Sequence, residues 1–148
     1  MSNKIAVACD HAALDMKAEV IKYLEGLGYE CEDYGTYTKD SCNYPDYAEK
    51  VCDAINAGKH KMGILICGTG IGMSMAANKC KGIRAALCSD TFSARFTRLH
   101  NDANVLCMGA RTIGVGLACD IAETFVKTGF EGGRHQTRID MVMALENK

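Results

Sequence analysis

The sequence predicts an α/β fold in which one five-stranded parallel sheet is covered by helices on both faces. Five short apolar segments alternate with five longer segments of helical periodicity over the 148 residues, and this alternation is typical of parallel sheets. The central segment Ile64-Leu65-Ile66 has no polar alternation, as expected of a strand buried on both sides. A chain of this length suits one domain over residues 1–148.

Each element follows from its apolar spacing and from the residues that bound it. The strands are predicted over residues 4–9, 29–34, 63–66, 83–88 and 104–108. The helices are predicted over residues 12–27, 45–58, 71–79, 90–101 and 113–128. A polar loop from Thr36 to Tyr44 separates the second strand from its helix. Because helices cover both faces of the sheet, we interpret the chain as a three-layer, Rossmann-like fold.

The C-terminal tail departs from this alternation. A polar, glycine-containing stretch from Phe130 to Arg138 precedes a last amphipathic helix that carries Ile139, Val142 and Leu145. Both faces of the sheet are already covered by the preceding helices. We therefore expect this last helix to pack on a second subunit.

Composition and charge argue against several functional classes. The formal net charge of -1 argues against a general nucleic-acid binder. The chain has neither an apolar run long enough to span a membrane nor a signal-like segment after Met1, so no membrane partner is expected. Nine cysteines, an odd number without C-x-x-C spacing, indicate a reduced cytoplasmic protein without a zinc site.

The strongest local motif is Cys67-Gly68-Thr69-Gly70-Ile71-Gly72, which connects the central strand to the next helix. Glycine readily adopts positive φ, so consecutive N–H groups can point into one concavity, and the helix N-terminus adds partial positive charge. The loop is therefore predicted to bind an anion. Cys67 would face this concavity, where a thiolate is favoured, although a buried cysteine at a strand end is often inert.

Other candidate site residues lie at predicted element ends. Asp10 and His11 follow the first strand at the edge where open α/β folds bind ligands, although Asp10 would also suit a helix N-cap. Tyr44 stands at the mouth of the second helix and is either site-lining or structural. His60, between two lysines, is assigned to a solvated turn without function.

Arg134 and Arg138 are four residues apart and would share one face at a helix start, with His135 beside them. Two interpretations remain open for this cluster. It is either a solvated charged face or, given the two glycines before it, a phosphate site.

The motifs together cover essentially the whole chain, and their joint order resembles the ribose-5-phosphate isomerase type B family. That family includes isomerases for galactose 6-phosphate and allose 6-phosphate. The motifs are Cys9-Asp10-His11, Asp33-Tyr34-Gly35-Thr36, Tyr44-Pro45, Ile66-Cys67-Gly68-Thr69-Gly70-Ile71-Gly72, Ala76-Ala77-Asn78-Lys79, Gly82-Ile83-Arg84-Ala85, His100-Asn101-Asp102-Ala103-Asn104 and Glu131-Gly132-Gly133-Arg134-His135.

The resemblance implies interconversion of ribose 5-phosphate and ribulose 5-phosphate through a cis-enediolate, without metal or organic cofactor. Cys67 would be the base, because Met73 stands where some family members carry a glutamate base. His100 would open the sugar ring, a role suited to imidazole near neutral pH; otherwise it is a helix-end histidine contacting the helix dipole. The residues expected to hold the enediolate are the amides of Gly68, Gly70, Ile71 and Gly72 and the hydroxyl of Thr69.

The resemblance also assigns the remaining contacts to the sugar phosphate. Asp10 and Asn101 would orient sugar hydroxyls, and residues from two subunits would build each site of a homodimer or dimer of dimers. The residues that match phosphate-binding positions are His11, Arg111, Arg134 and Arg138.

The sequence leaves two alternative functions open. One is an isomerase of a hexose 6-phosphate such as allose 6-phosphate. The other is a non-catalytic nucleotide-binding domain that uses the same glycine loop, although Met73 replaces the last glycine of a dinucleotide fingerprint.

Overall fold

A computed structural model describes residues 3–148 and contains the predicted five-stranded parallel sheet with helices on both faces. Met1 and Ser2, which begin the segment expected to carry no signal sequence, lie outside the described residues. The strands are β1 (Lys4–Cys9), β2 (Glu30–Asp33), β3 (Met62–Cys67), β4 (Ala85–Leu87) and β5 (Val105–Gly109). The helices are α1 (Leu14–Gly26), α2 (Tyr44–Asn56), α3 (Ile71–Asn78), α4 (Thr91–Asn101), α5 (Val115–Lys127) and α6 (Arg134–Ala144), followed by a 3₁₀ turn at Leu145–Asn147.

The strand order is β2-β1-β3-β5-β4, so β5 lies between β3 and β4. All neighbouring strands pair in parallel. The sequence left this order open, because it depends on which strands pair over long range. The chain leaves β1 toward one side of the sheet and β3 toward the other. In open α/β folds, ligands bind at the carboxyl ends of the two strands where the order reverses in this way.

The central strand is buried on both faces, as its unbroken apolar run predicted. Ile64 and Ile66 pack in one core beneath α1, α4 and α5, with Leu106 and Phe125. Leu65 points the other way and packs beneath α2 and α3. Alternation of side chains along a strand explains this division.

Helix α1 begins two residues later than predicted because the chain first makes a turn after β1. Asp10 Oδ1 accepts a hydrogen bond from Ala12 N at 3.0 Å, and Asp10 O accepts one from Ala13 N at 3.2 Å. The N-cap position is occupied by Ala13. The interpretation of Asp10 as a helix N-cap is therefore wrong.

His60 is also placed differently from the prediction of a solvated turn, since it is only 2% exposed. Its Nε2 lies 2.9 Å from Tyr34 Oη and 3.0 Å from Glu32 Oε2, and its Nδ1 lies 3.3 Å from Lys4 O. The ring therefore connects the turn before β3 to β1 and β2. The flanking lysines suggested exposure, but these contacts to earlier strands bury the ring.

Lys17, a buried cation on α1, anchors the polar loop that follows β2. Its Nζ lies 2.7 Å from Asp33 Oδ1 and donates to Thr36 O at 2.6 Å. Removing one partner of a buried ion pair is strongly unfavourable. This pair therefore fixes where the loop over residues 36–43 begins, on its way to the carboxyl edge of the sheet.

Helix α6 packs against α4 through an inner face that buries His135 and Ile139. Its outer side, continued by the 3₁₀ turn, exposes Met141 (67%), Val142 (55%) and Leu145 (61%). Packing of this face on a second subunit stays a prediction. No helix within residues 3–148 combines the length and apolarity required to cross a membrane.

Candidate active site

The carboxyl edge of the sheet brings together residues that follow β1, β3 and β5. Asp10 N donates to Ile66 O at 3.1 Å, and Ala110 N donates to Cys67 O at 2.8 Å. Arg111 N donates to Gly68 O at 2.9 Å. Asp10, Cys67 and Arg111 therefore meet at one edge, as the sequence predicted for Asp10 and Cys67 at the ends of parallel strands.

The glycine loop holds the sulfur of Cys67 at the start of α3. Gly70 adopts a positive φ of 79° and occupies the N-cap position of α3. Its N–H donates to Cys67 Sγ at 3.1 Å. The sulfur therefore lies beside a backbone donor at the N-terminus of α3, where a helix carries partial positive charge.

The other cysteines lie in different environments. Burial raises the pKa of the Cys9 and Cys88 thiols to about 11. The thiols of Cys80 and Cys119 lie within hydrogen-bonding distance of backbone carbonyls, at 3.7 and 4.0 Å. The sulfur of Cys67 accepts a hydrogen bond from a backbone N–H at the start of a helix.

The loop also bonds within itself. Thr69 Oγ1 accepts from Ile71 N at 3.2 Å, which leaves the Thr69 hydroxyl proton available as a donor. Two of the amides predicted to face an anion, those of Gly70 and Ile71, are thus engaged by Cys67 and Thr69 in this structure.

Three further predicted residues line this edge. His11 Nδ1 accepts a hydrogen bond from Cys42 N at 3.3 Å, so the neutral ring carries its proton on Nε2. The Tyr44 ring packs over Gly72, 2.7 Å from where a Cβ of residue 72 would stand. Arg111 covers Gly68, with its Cδ 3.5 Å from the corresponding Cβ position.

His100 and Asn101 lie at the opposite edge of the sheet. They are the last two residues of α4. Asn104, which lies just before β5, accepts a hydrogen bond through its backbone carbonyl from Gly63 N, near the start of β3, at 2.9 Å. Strand β3 alone spans roughly 16 Å at about 3.3 Å per residue. One chain therefore does not bring His100 to Cys67.

The amino-edge residues line a groove of about 790 Å³ between α4, α6 and the edge strand β4. His100, Asn101 and Arg138 face it together with His135. Arg134 and Arg138 are exposed, but His135 is 7% exposed. His135 and Arg138 line the same groove, but the His135 ring packs inward whereas both arginines are exposed.

His100 is surrounded by aromatic and acidic side chains. Its ring stacks on that of His135 with centroids 4.0 Å apart and planes 11° apart, and Phe96 meets it edge-on at 5.1 Å. Glu131 Oε1 lies 3.8 Å from His100 Nε2, and Glu131 Oε2 lies 3.5 Å from His135 Nε2. Burial, followed by the neighbouring His100 ring, lowers the pKa of His135.

Comparison with known proteins decides the family. A family model described as ribose/galactose isomerase matches residues 5–142. The chain belongs to this family. It is 45% identical over 145 residues to ribose-5-phosphate isomerase B of Escherichia coli, a match that covers 98% of this chain and 97% of that protein.

Solved structures of the same family share the fold over nearly the full length. Ribose-5-phosphate isomerase B of Clostridium thermocellum superposes with a TM-score of 0.95 at 46% identity, covering 97% of each chain. The enzyme from Mycoplasma genitalium, whose structure contains bound ribulose 5-phosphate, superposes with a TM-score of 0.94 at 40% identity, covering 100% of this chain and 99% of that one.

Within this family fold, sequence reasoning missed any role for Glu131 and His135 as partners of His100. Glu131 was named only as part of a motif, and His135 only there and as a neighbour of Arg134 and Arg138. The available signal was the pair of glycines between Glu131 and His135, which indicates a tight turn of the chain. The stack with His100 depends on packing of α6 on α4, which no local pattern indicates.

Substitution of Gly70 tests the geometry of the loop. A Cβ at this position would lie 2.8 Å from the Met108 carbonyl carbon and would also require a positive φ. We expect Gly70→Ala to lower the free energy of unfolding by about 1–3 kcal/mol, measured by denaturant titration. Gly68→Ala is the matched control, because its Cβ would meet only Arg111 at ordinary contact distance. Equal stability of the two variants would contradict this account of the loop.

Proposed function

We propose that this chain is an aldose–ketose isomerase that interconverts ribose 5-phosphate and ribulose 5-phosphate. The observation that carries the proposal is the Gly70 N–H directed at Cys67 Sγ at the start of α3. This places the thiol sulfur beside Asp10 and Arg111 at the carboxyl edge. The names of the Escherichia coli, Clostridium and Mycoplasma relatives support the same reaction.

The proposed chemistry needs a base and a site for a developing oxyanion. Cys67 takes the proton from C2, next to the aldehyde, which leaves a cis-enediolate, and returns it to C1, while the proton of the C2 hydroxyl moves to the oxygen on C1. A general base contributes about 10²- to 10⁴-fold in rate, and one oriented oxyanion donor contributes about 3–4 kcal/mol. The Thr69 hydroxyl and the amides of Gly68 and Gly72 supply donors, and those of Gly70 and Ile71 would do so once released from Cys67 and Thr69. Neither metal nor organic cofactor enters the proposed reaction.

The proposed site is completed by a second chain. His100 cannot reach Cys67 of its own chain, whereas a two-fold symmetric dimer can place the amino-edge groove of one chain over the carboxyl edge of the other. The exposed Met141, Val142 and Leu145 supply an apolar surface for this contact.

Each residue at the shared site has a role in the proposal. His100 exchanges a proton with the ring oxygen, and Asp10 and Asn101 orient hydroxyls. Tyr44 lines the sugar site beside the glycine loop. The side chains that would bind the phosphate are His11, Arg111, Arg134 and Arg138. A cytoplasmic location is part of the proposal, and the nine free thiols within residues 3–148 support it.

Replacement of Cys67 tests the base. We expect Cys67→Ala to lower kcat for ribose 5-phosphate by at least about 10²-fold, because the loop supplies no second proton acceptor. Deuterium incorporation into both sugar phosphates in D₂O, with a chelator present, should fall in parallel. Cys31→Ala is the control, since this half-buried thiol lies on the edge strand β2. Undiminished exchange in Cys67→Ala would remove Cys67 as the base.

Mixing two inactive variants tests the shared site. Chains carrying Cys67→Ala and chains carrying His100→Asn should each be nearly inactive toward ribose 5-phosphate. Refolded together, they should recover about a quarter of wild-type activity, because random pairing makes half of the dimers mixed and each mixed dimer has one intact site. Each variant refolded alone is the control. A mixture no more active than its components would contradict a site built from two chains.

The alternative within the family is isomerisation of a hexose 6-phosphate. The family description, ribose/galactose isomerase, is compatible with such a substrate. We expect kcat/KM to be higher for ribose 5-phosphate than for allose 6-phosphate or galactose 6-phosphate. Side-by-side kinetics with all three substrates measures the preference. A higher value for either hexose phosphate would replace the pentose assignment and leave the isomerase chemistry in place.

A further inference from the structure

We infer that His135 and Glu131 are positioning residues that fix the ring plane and the proton of His100. The inference rests on the proposed function, in which His100 exchanges a proton with the ring oxygen of the sugar. It concerns two side chains that the proposed reaction does not otherwise use.

Two aromatic rings pack against the imidazole of His100. The rings of His100 and His135 are nearly parallel, with centroids 4.0 Å apart, and Phe96 closes another side of His100 at 5.1 Å. His135 is buried while His100 is half-exposed and lines the groove. A buried ring thus holds an accessible one in a single plane, and ring orientation decides whether its nitrogen can meet a substrate oxygen.

The carboxylate of Glu131 lies beside both imidazole rings. Glu131 lies within 3.8 Å of Nε2 of His100 and within 3.5 Å of Nε2 of His135. Its backbone is fixed, because Glu131 N donates to Leu99 O at 3.1 Å, one residue before His100. Gly132 and Gly133, at φ of 73° and 59°, then turn the chain so that His135 returns over His100. The carboxylate is therefore placed to stabilise a proton on His100.

The surroundings of His135 make it a poor site for a proton. Two imidazolium rings at a centroid separation of 4.0 Å would repel each other, so the pair binds one proton more readily than two. Burial, His100, Arg134 and Arg138 all lower the pKa of His135, and Glu131 opposes them. His135 Nε2 is buried and has no hydrogen-bond partner among the described residues. These surroundings therefore disfavour a proton on His135.

The same three side chains have donor atoms within 4.8 Å of one another, a separation that a metal ion could bridge. The stack argues against that use. The lone pair of an imidazole nitrogen lies in the ring plane, so two nearly parallel rings direct their lone pairs along planes that do not converge on one ion. The arrangement fits proton handling better than metal binding.

The chemistry of the two sugar phosphates gives a test that separates positioning from folding. Ribose 5-phosphate closes a five-membered ring through O4, so its isomerisation requires ring opening. Ribulose 5-phosphate carries its phosphate on O5 and cannot close the corresponding ring, so it remains open-chain. Deuterium exchange into C1 of ribulose 5-phosphate therefore reports the Cys67 step without ring opening.

We expect His135→Ala to lower kcat/KM for ribose 5-phosphate by about 10- to 100-fold, the usual cost of losing an orienting partner. Exchange into ribulose 5-phosphate should stay near the wild-type rate, which also shows that the variant is folded and assembled. His135→Phe should recover most of the isomerisation rate, because a flat ring restores the stack. Glu131→Gln should lower isomerisation and spare exchange.

Gln136→Ala, on the exposed side of α6 next to His135, is the matched control. Equal loss of exchange and isomerisation in His135→Ala would indicate a merely structural role and overturn the inference, as would no loss in either. Should His135→Ala fail to fold, Glu131→Gln decides by the same comparison. Absence of both reactions in the wild-type protein would instead overturn the proposed function.

Discussion

Parallel pairing of the strands determines which residues of this chain can meet. Every strand of a parallel sheet ends at the same edge, so residues that follow β1, β3 and β5 converge, and residues that precede a strand gather at the other edge. Cys67 follows β3, whereas His100 comes shortly before β5. The thiol and the imidazole are therefore separated by the length of the sheet, and any reaction that uses both requires two chains.

The features that could be predicted from sequence are those that local chemistry determines. The apolar run before Cys67 and the glycines after it predict a strand, a turn and a helix start, and all three are present. Asp10 meets Cys67 because strand ends in a parallel sheet share an edge, which alternation alone implies. The Gly70 N–H bond to the Cys67 sulfur follows directly from that local path of the chain.

The features that could not be predicted depend on contacts between distant segments. The insertion of β5 between β3 and β4 is decided by pairing energies that no single segment carries. His60 is buried because Glu32 and Tyr34 reach it from β2, although its own neighbours are lysines. His135 stacks on His100 because Glu131 N binds Leu99 O and brings the tail back to α4.

The two halves of the proposed site are each organised within one chain before any association. At the carboxyl edge, hydrogen bonds of Gly70 and Thr69 fix the position of the Cys67 thiol and the path of the loop. At the amino edge, Glu131 and His135 fix the orientation of the His100 imidazole. Association then has only to bring two ordered surfaces together, with little further side-chain entropy to lose. Enediolate formation and ring opening are chemically separate steps, and their separation onto two edges lets a symmetric dimer supply both at each of its sites.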